Sequence, residues 1–502
     1  MHFAELPDVR AARSPNAPSL ADDVLDLDNA EFLAEVRAAA ACLRQRGIGS
    51  GDVVAVMLPN RVEFVVALFA AWRLGAAVTP VNPALTANEA EYQLADSAAR
   101  VVVGQDEDGP DLSVPRIDVA ELRTTAGSAG TANAAGEACG GRGEPPPATD
   151  ALALLIYTSG TTGRPKGVML SHANLEAMST MMIEVSQVAQ DDHSLLILPL
   201  FHVNGIVVSV LSSLLAGGRV TVAGRFKAET FFRTIEAVRP TRFSAVPAIY
   251  AMLMELPESE RPDTSSVRFA ACGAAPMPAE LIERFEGRYR IPIVEGYGLS
   301  EGTCASTSNP LDGLRKPGTV GLAMPGQEVA VMDPSGRLLP QGATGEVVVR
   351  GPNVMRGYLN RPGETARTVV DGWLHTGDVG LFDEDGYLVL VDRIKDLIIR
   401  GGENIYPKEI ESLLYSHPGV FEAAVVGQAH EVFGEVPVAF VVLRPGASVT
   451  TEGLLEHCRG SLSRFKLPER VIAVETLPKN PVGKTDKPAL RVELVSHAFP
   501  AV

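Results

Sequence analysis

Short apolar runs and amphipathic helical patterns alternate along the first part of the chain. Residues 31–47, EFLAEVRAAAACLRQRG, have the spacing of an amphipathic helix that ends at Gly47. The apolar run 52–60 predicts a buried strand, 62–76 predicts a helix stopped by Gly75, and AAVTPVNP predicts another strand. This strand–helix–strand alternation predicts a parallel sheet with helices on its faces.

The pattern of the sequence changes further along, and the changes predict the domain organisation. At 502 residues the chain is too long for one core. Residues 104–150 are rich in Gly, Ala, Ser and Pro, which predicts an exposed, mobile loop without chemistry. The βα alternation then resumes, and short strands divided by Gly, Pro and Asp predict a small β-rich subdomain at about 326–391. We therefore predict an α/β fold, with a large N-terminal domain of parallel βα-layered sheets (1–392) and a smaller, mobile α+β domain (393–502).

Charge and cysteine content exclude several classes of partner. The formal net charge of −17 argues against nonspecific binding to nucleic acid or to an anionic membrane. The five cysteines never form a CxxC pair, which favours a reducing compartment over a disulfide framework or a structural zinc site. No secretion signal and no apolar stretch of the roughly 20 residues needed for a spanning helix is evident. We expect a cytoplasmic protein with no nucleic-acid partner and no integral membrane segment.

Residues 157–167 read YTSGTTGRPKG, directly after the apolar run 151–156. Glycines let backbone N–H groups converge on an anion, and hydroxyls and an ammonium add donors. The segment is either a polar turn or a loop that binds the β- and γ-phosphates of ATP. It is not a Walker A loop, because Lys166 precedes Gly167 instead of Ser or Thr. The residues that form this candidate loop are Thr158, Ser159, Gly160, Thr161, Thr162, Gly163 and Lys166.

TSGTTGRPKG resembles the signature loop of the adenylate-forming enzymes, which include acyl-CoA synthetases, luciferases and the adenylation domains of peptide synthetases. Five further motifs follow in that family's order, and the resemblance covers nearly all of 52–490. It is greatest to acyl-CoA synthetases for fatty acids. The resemblance implies that a carboxylic acid and ATP give an acyl-adenylate and pyrophosphate, with Mg²⁺ as cofactor. The thiol of CoA then attacks the adenylate and gives a thioester and AMP.

The resemblance also implies roles for the nucleotide-binding residues. In EGYGLSEGT (295–303), Tyr297 would stack on adenine, Ser300 would bond the α-phosphate, and Glu301 would hold Mg²⁺. Outside the family, Glu301 would be read as a solvated acid. Asp378 in GWLHTGD would accept hydrogen bonds from both ribose hydroxyls, with Arg393 as the second ribose contact. The remaining implied adenine and ATP contacts are Gly273, Ala274, Ala275 and Gly298.

The C-terminal segment carries the residue that the resemblance implies for catalysis. Lys484 lies in a PKxxxGK context, and a mobile ammonium there would stabilise the charge that builds on the phosphate as the carboxylate attacks. Lysines at this place in the family are acetylated, so regulation by charge removal is a hypothesis here. Lys395 would be the hinge between the domains. Gly401 and Gly402 would form a pantetheine tunnel, where a missing Cβ leaves room for a slim ligand.

LPLFHVNGI (198–206) resembles the family segment whose histidine lies beside the reacting carboxylate, so His202 joins Glu301 and Lys484 as a predicted catalytic residue. A histidine packed in the core is the alternative. The predicted acyl-pocket lining is small and largely uncharged, and favours an aliphatic or aryl monocarboxylic acid. It consists of His202, Val203, Asn204, Gly205, Ala248, Gly296, Leu299 and Gly302.

Several alternatives stay open at the level of the sequence. Met252 stands where malonate-activating relatives carry an arginine, which disfavours malonate, whereas GRF (224–226) and SNPLDG…KPGTVG (308–321) resemble oxalyl-CoA synthetases. The thiol acceptor is CoA or the phosphopantetheine of a carrier protein. Luciferase-type oxygenation, a non-catalytic nucleotide-binding scaffold and a homodimer are further alternatives.

Overall fold

The computed structural model divides the chain into two compact units. The large unit comprises Met1–Val329 and Val349–His375, and the small unit comprises Ala330–Val348 and Thr376–Val502. The predicted domain boundary at 392/393 stays a prediction. The structure describes residues 2–105, 112–123, 146–158, 164–275, 277–479 and 485–496.

Helices occur at the predicted positions in the first part of the chain, and further helices occur up to Ser496. The α-helices of the described residues are α1 (Leu6–Arg13), α2 (Asn29–Gln45), α3 (Val62–Arg73), α4 (Ala87–Ser97), α5 (His172–Ser186), α6 (Ser212–Ala216), α7 (Ala228–Val238), α8 (Pro247–Met254), α9 (Ala279–Tyr289), α10 (Pro362–Thr368), α11 (Pro407–Tyr415), α12 (Thr451–Arg459) and α13 (Lys487–Ser496). A π-helix, Asn204–Leu211, precedes α6.

Strands alternate with these helices in the first half of the chain and predominate in the middle. They are β1 (Pro18–Ala21), β2 (Asp26–Asp28), β3 (Val53–Val56), β4 (Ala77–Pro80), β5 (Val101–Gly104), β6 (Arg116–Asp118), β7 (Leu152–Thr158), β8 (Lys166–Ser171), β9 (His193–Leu196), β10 (Arg219–Val222), β11 (Arg242–Ala245), β12 (Phe269–Cys272), β13 (Ile293–Tyr297), β14 (Thr307–Ser308), β15 (Leu322–Ala323), β16 (Glu328–Met332), β17 (Gly345–Arg350), β18 (Gly357–Tyr358), β19 (Val369–Val370), β20 (Trp373–Phe382), β21 (Leu388–Arg393), β22 (Ile398–Arg400), β23 (Glu403–Ile405), β24 (Val420–His430), β25 (Gly434–Leu443) and β26 (Arg470–Ala473).

Two sheets build the large unit, and both are parallel in their centres. One has the strand order β18-β8-β7-β4-β3-β5-β6, and the other has the order β15-β14-β13-β12-β11-β9-β10-β1-β2. Antiparallel pairs occur at the sides, between β7 and β8, β8 and β18, β13 and β14, and β1 and β2. The α/β fold class with parallel-rich sheets in a large N-terminal part is thereby confirmed.

Helix α3 explains how the two sheets share a core. Every residue from Val62 to Trp72 is buried, so this helix has no solvated face. Trp72 donates its indole N–H to the carbonyl of Ala153 at 2.8 Å and fixes the helix to β7. The largest apolar cluster joins α3 to side chains of both sheets, including Val54 of one and Val220 of the other.

Helix boundaries are set by local chemistry that the sequence carries. Asp28 caps α2 in a capping box with Glu31, and Gly47, at φ +80°, lies just after that helix. Gly75, at φ +70°, follows α3. The predicted helices at 31–47 and 62–76 are therefore confirmed apart from a few terminal residues.

The prediction of one exposed loop at 104–150 is wrong in part. Residues Arg116–Asp118 form β6, which pairs parallel with β5, and Val119–Leu122 forms a short 3₁₀-helix. Ile117 and Leu122 are buried against the main core. Much of the Gly/Ala-rich stretch lies outside the described residues.

The small unit has a sheet of its own with the order β23-β22-β25-β24, to which β26 adds in parallel with β25. Helices α11 and α12 pack on this sheet over a core that includes Ile410, Val425 and Leu454. The smaller α+β unit at the C-terminal end agrees with the predicted fold class. No helix of the described residues, in either unit, has the length and apolar character that crossing a bilayer requires.

Candidate active site

The strand predicted before the loop 159–165 is β7, and the strand after the loop, β8, runs back antiparallel beside it. Strand β7 ends at Thr158, and β8 begins at Lys166 directly opposite Thr158 in an antiparallel hairpin. The loop therefore joins two strands, whereas a Walker A loop leads from a strand into a helix. The predicted phosphate contacts Ser159, Gly160, Thr161, Thr162 and Gly163 lie outside the described residues.

Lys166 is already engaged by protein groups. Its ammonium forms an ion pair with Glu364, and it lies 5.2 Å from the ring centroid of Tyr358. Its side chain is largely buried, and Arg361 lies 3.5 Å from the other oxygen of Glu364. The hydrogen bond from Lys166 is the main cause that lowers the pKa of the Glu364 carboxyl. Lys166 is the first residue of β8, so its paired ammonium lies just after the predicted phosphate loop in the chain.

Four predicted site segments meet at one edge of the nine-stranded sheet. Strands β9, β11, β12 and β13 are parallel, so the segments that follow them emerge side by side. Such carboxyl edges are where open α/β sheets bind ligands. The segments carry His202 after β9, Ala248 after β11, Gly273–Ala275 after β12, and Tyr297 at the end of β13.

Glycines at this edge are required by close backbone approach. A Cβ on Gly273 would lie 3.3 Å from the carbonyl oxygen of Gly296, and one on Gly296 would lie 2.9 Å from that of Thr307. The segment predicted to line adenine therefore runs directly against the end of β13. The glycine of ACGAAP is favoured by this approach, with or without a nucleotide.

The turn that carries Ser300 and Glu301 is tightly specified. A Cβ on Gly298 would lie only 1.9 Å from the carbonyl oxygen of Cys304, which excludes any side chain there. Cys304, at φ +113°, donates its backbone N–H to the carbonyl of Leu299 at 3.1 Å and closes the turn. Ser300 and Glu301 occupy the 3₁₀-turn inside this closure. Strain of this kind is often found at functional sites.

Glu301 is held on its side chain and on its backbone. The Tyr358 hydroxyl donates a hydrogen bond to Glu301 Oε1 at 2.8 Å, and the backbone N–H of Met355 donates to the Glu301 carbonyl at 2.8 Å. Among the described residues, no group of three or more His, Cys, Asp or Glu side chains could hold a metal. A single carboxylate nevertheless fits Mg²⁺, because this ion is usually bound by one or two carboxylates together with substrate phosphates.

The segment that carries His202 is positioned by a residue that sequence reasoning missed. Asn60 donates to the carbonyls of Leu198 and Ala223 and accepts from the N–H of Leu200. The His202 ring lies 4.9 Å from the ring of Phe201. His202 follows this held segment beyond the carboxyl end of β9, and its role beside the acid stays a prediction.

The predicted acyl-pocket residues after His202 enter a π-helix, an uncommon conformation that is frequent at functional sites. A Cβ on Gly205 would lie 2.7 Å from the carbonyl oxygen of Pro199, so the turn needs glycine. Burial raises the pKa of the thiol of Cys304, which closes the Ser300–Glu301 turn, to about 12. The π-helix and this turn both belong to the large unit.

The predicted ribose pair forms in the small unit. Asp378 and Arg393 lie opposite each other on β20 and β21, and Arg393 Nε is 2.7 Å from Asp378 Oδ1. Asp378 is 4% exposed, and its backbone N–H donates to the hydroxyl of Thr376. The sequence placed these two residues together only through the family resemblance, and the strand register brings them into contact.

Gly401 and Gly402 form the two-residue turn between β22 and β23, with φ values of +60° and +90°. A Cβ on Gly401 would meet only Phe433 at 3.9 Å, and one on Gly402 would meet nothing within 4 Å. Within the small unit the backbone of the turn favours glycine at both positions. Lys395 lies in the 3₁₀-turn Ile394–Asp396, and Lys484 lies outside the described residues.

Tyr358 and Glu364 are two further functional candidates that sequence reasoning missed. Both lie in RGYLNRPGETA, a stretch that no motif had singled out. The available signal was the aromatic and acidic pair among turn-forming Gly, Asn and Pro residues, which is weak. Their importance appears only when β18 pairs with β8.

Two family models and many known proteins match this chain. A family model described as AMP-binding enzyme matches residues 8–359, and one described as AMP-binding enzyme C-terminal domain matches residues 409–484. The chain is 37% identical over 467 residues to an oxalate–CoA ligase of Arabidopsis thaliana, covering 90% of each chain. It is 38% identical over 488 residues to a feruloyl-CoA synthase of an Amycolatopsis species, covering 96% of this chain and 97% of the relative.

Solved structures give the same result. The o-succinylbenzoate–CoA synthetase MenE from Bacillus subtilis, in complex with ATP and magnesium ion, matches with a TM-score of 0.84 and 31% identity. The match covers 98% of this chain and 99% of that one. The likeness therefore extends over almost the whole of both chains.

Proposed function

The chain belongs to the AMP-binding enzyme family and is an AMP-forming acid–CoA ligase that uses ATP, CoA and Mg²⁺, and from this premise we propose its acid substrate and the roles of its residues. The substrate is an aryl or aliphatic monocarboxylic acid, and the acid enters at the carboxyl edge of the nine-stranded sheet. The observation that carries the proposal is the convergence of four predicted site segments at that edge.

The large unit supplies most groups for the first half-reaction. The segment Gly273–Ala275 and the ring of Tyr297 bind adenine, and Lys166 approaches the phosphates from the foot of the β7–β8 hairpin. Mg²⁺, when bound, neutralises charge on the phosphates. Glu301 would hold it, and its carboxylate is oriented for this by the hydrogen bond from Tyr358. His202 orients the attacking carboxylate.

The small unit supplies the ribose contacts and the catalytic lysine. Asp378 accepts hydrogen bonds from the ribose hydroxyls beside Arg393, and Lys484 stabilises the charge on the α-phosphate as the acid attacks. The C-terminal domain that follows the hinge, residues 393–502, rotates about Lys395 between the half-reactions, so that the Gly401–Gly402 turn serves the thioester step. The two steps thereby use different faces of that domain.

Charge is the basis for choosing a monocarboxylic acid. Apart from His202, the proposed pocket lining contains no ionisable side chain, and Met252 stands in α8 where a cation would serve a second carboxylate. Burying an unpaired second carboxylate is costly, which disfavours a dicarboxylic acid. The feruloyl-CoA synthase is the relative whose named product best agrees with an aryl acid. An oxalate–CoA ligase and a sulfoacetate–CoA ligase are also among the relatives, and both favour a small acid instead.

A carboxylic-acid panel tests the choice of acid and acceptor. Aryl acids, aliphatic acids, oxalate and malonate are compared by AMP formation with free CoA, and again with a holo-carrier protein as acceptor. We expect the highest kcat/KM for an aryl or aliphatic monocarboxylate with free CoA. Preference for oxalate would overturn the substrate class, and AMP release only with the carrier protein would overturn the acceptor.

A matched pair of lysine variants tests the role of Lys484. We expect Lys484→Ala to lose acid-dependent exchange of pyrophosphate into ATP and to retain thioester formation from preformed acyl-adenylate. Lys479→Ala is the control, because Lys479 lies in the same segment and pairs with Glu422 at 2.9 Å. Exchange at the wild-type rate in Lys484→Ala would show that another group stabilises the transition state.

A further inference from the structure

Tyr358 contacts two groups that the proposed function assigns to the ATP phosphates and their metal. Its hydroxyl donates to Glu301 Oε1 at 2.8 Å, and its ring centroid lies 5.2 Å from the ammonium of Lys166. Glu301 and Lys166 belong to different elements, the 3₁₀-turn after β13 and the start of β8. Tyr358 is the side chain that links them.

The backbone around Tyr358 leaves it little freedom. Tyr358 pairs with Val168 in the antiparallel contact of β18 with β8, and the N–H of Leu359 donates to the carbonyl of Gly167 at 2.8 Å. On the other side, the N–H of Met355 bonds the backbone of Glu301. The segment 355–359 is thus fastened to both elements whose side chains Tyr358 contacts.

The hydroxyl of Tyr358 is arranged to donate. An ordinary phenol is protonated at neutral pH, so the Tyr358 hydroxyl donates and Glu301 Oε1 accepts at 2.8 Å. A hydrogen bond to a carboxylate is charge-assisted and is therefore stronger than one between neutral groups.

We propose that Tyr358 is a positioning residue that sets the affinity of the ATP site for its divalent cation, by fixing the Glu301 carboxylate through the hydrogen bond to Oε1. The bond restrains the carboxylate and presents its other oxygen, Oε2, for the metal. Outer groups that orient a metal ligand commonly change metal affinity about 10- to 100-fold when they are removed. The inference rests on the proposed role of Glu301.

Tyr358→Phe isolates the hydroxyl, because the ring under Lys166 is retained. The measured quantity is the ratio of ATP dissociation constants in EDTA and in saturating Mg²⁺, obtained by calorimetry on the full-length protein without acid or CoA. We expect the variant to lower this ratio about 10-fold. We expect its affinity for ATP in EDTA to stay within about twofold of wild type, because the ring beneath Lys166 remains.

Two further variants separate positioning from a general structural effect. Tyr289→Phe is the matched control, because it removes another buried hydroxyl that donates at 2.7 Å to the carbonyl of Leu253. It should leave the ratio unchanged. In a Glu301→Gln background, Tyr358→Phe should have no further effect, because Tyr358 acts through that carboxylate.

The outcomes distinguish this inference from the proposed function. If the wild-type protein binds ATP more tightly with Mg²⁺ and Tyr358→Phe has the same ratio of dissociation constants as the wild type, the role proposed for Tyr358 is overturned and that of Glu301 is not. The same holds if the effect of Tyr358→Phe persists in full beside Glu301→Gln. A wild-type protein whose ATP affinity is indifferent to Mg²⁺ overturns the proposed role of Glu301 itself.

Discussion

Replacing the Asp378 carboxylate by an amide should weaken ATP binding specifically through the ribose. Asp378→Asn keeps the shape of the side chain and removes its charge. The side chain of Asp378 is 6% exposed, whereas that of its partner Arg393 is 49% exposed and remains solvated after the change. Loss of a pair with one solvated partner should cost at most about 1 kcal/mol of unfolding free energy.

The effect on ATP binding is larger, because a carboxylate can accept from both ribose hydroxyls. The amide keeps one acceptor oxygen, and its NH₂ group cannot accept. The variant therefore loses one hydrogen bond to a charged group, worth about 2 kcal/mol or roughly 30-fold in the dissociation constant. This loss exceeds the expected loss of stability.

Comparison of ATP with 2′,3′-dideoxy-ATP is the assay, because the second nucleotide lacks both hydroxyls. We expect calorimetry to show that Asp378→Asn weakens ATP about 30-fold and leaves dideoxy-ATP nearly unchanged. Asp333→Asn is the control, since Asp333 pairs with Arg337 in a turn that no motif assigns to the nucleotide. Equal weakening of both nucleotides would refute the reasoning, because Asp378 would then act on the fold and not on the ribose.

Three further predictions concern the glycines and the phosphate lysine's partner. Gly298→Ala should abolish pyrophosphate exchange, because its Cβ would collide with Cys304 at 1.9 Å, whereas Gly302→Ala, with nothing nearer than 3.4 Å, should keep the wild-type melting temperature. Gly402→Ala, at φ +90°, should lower the unfolding free energy in urea by about 1–2 kcal/mol, and Gly402→Asn should lower it less. The folded-state pKa of Glu364 is depressed, so its stabilisation is present above the unfolded value of about 4.3 and is lost as pH falls below it. Glu364→Gln should therefore reduce the difference in melting temperature between pH 7 and acid.

Elements of the fold that depend on local chemistry could be predicted from the sequence. The helix predicted at 31–47 is observed at Asn29–Gln45, because a capping box and a following glycine fix its ends. Strand β6 could not be predicted, because three residues carry too little periodicity, and Arg116–Asp118 is extended through its pairing with β5. Local signals therefore predict the helices and the longer strands. Nonlocal pairing decides which short segments, such as β6, become strands of the sheets.

The same distinction applies to the candidate site. Contiguous motifs singled out Glu301 and Asp378 as candidates, and the residues of each motif lie within one turn or one strand. Tyr358 had no such signal. Its contact with Glu301 exists because β18 pairs with β8, and that pairing joins segments far apart in the chain. A single sequence holds no information on such a contact beyond the residue types.

The glycines of the Gly401–Gly402 turn have two possible explanations, the backbone of the turn and the predicted pantetheine tunnel. The sequence predicts that the missing Cβ leaves space for a slim ligand. In the small unit, the positive φ values by themselves favour glycine, and a Cβ on Gly402 would enter open space. Gly402→Asn therefore separates the two explanations, because asparagine tolerates the left-handed backbone and adds a side chain. If the turn alone matters, the thioester step survives this change; if space for pantetheine matters, that step is lost while pyrophosphate exchange continues.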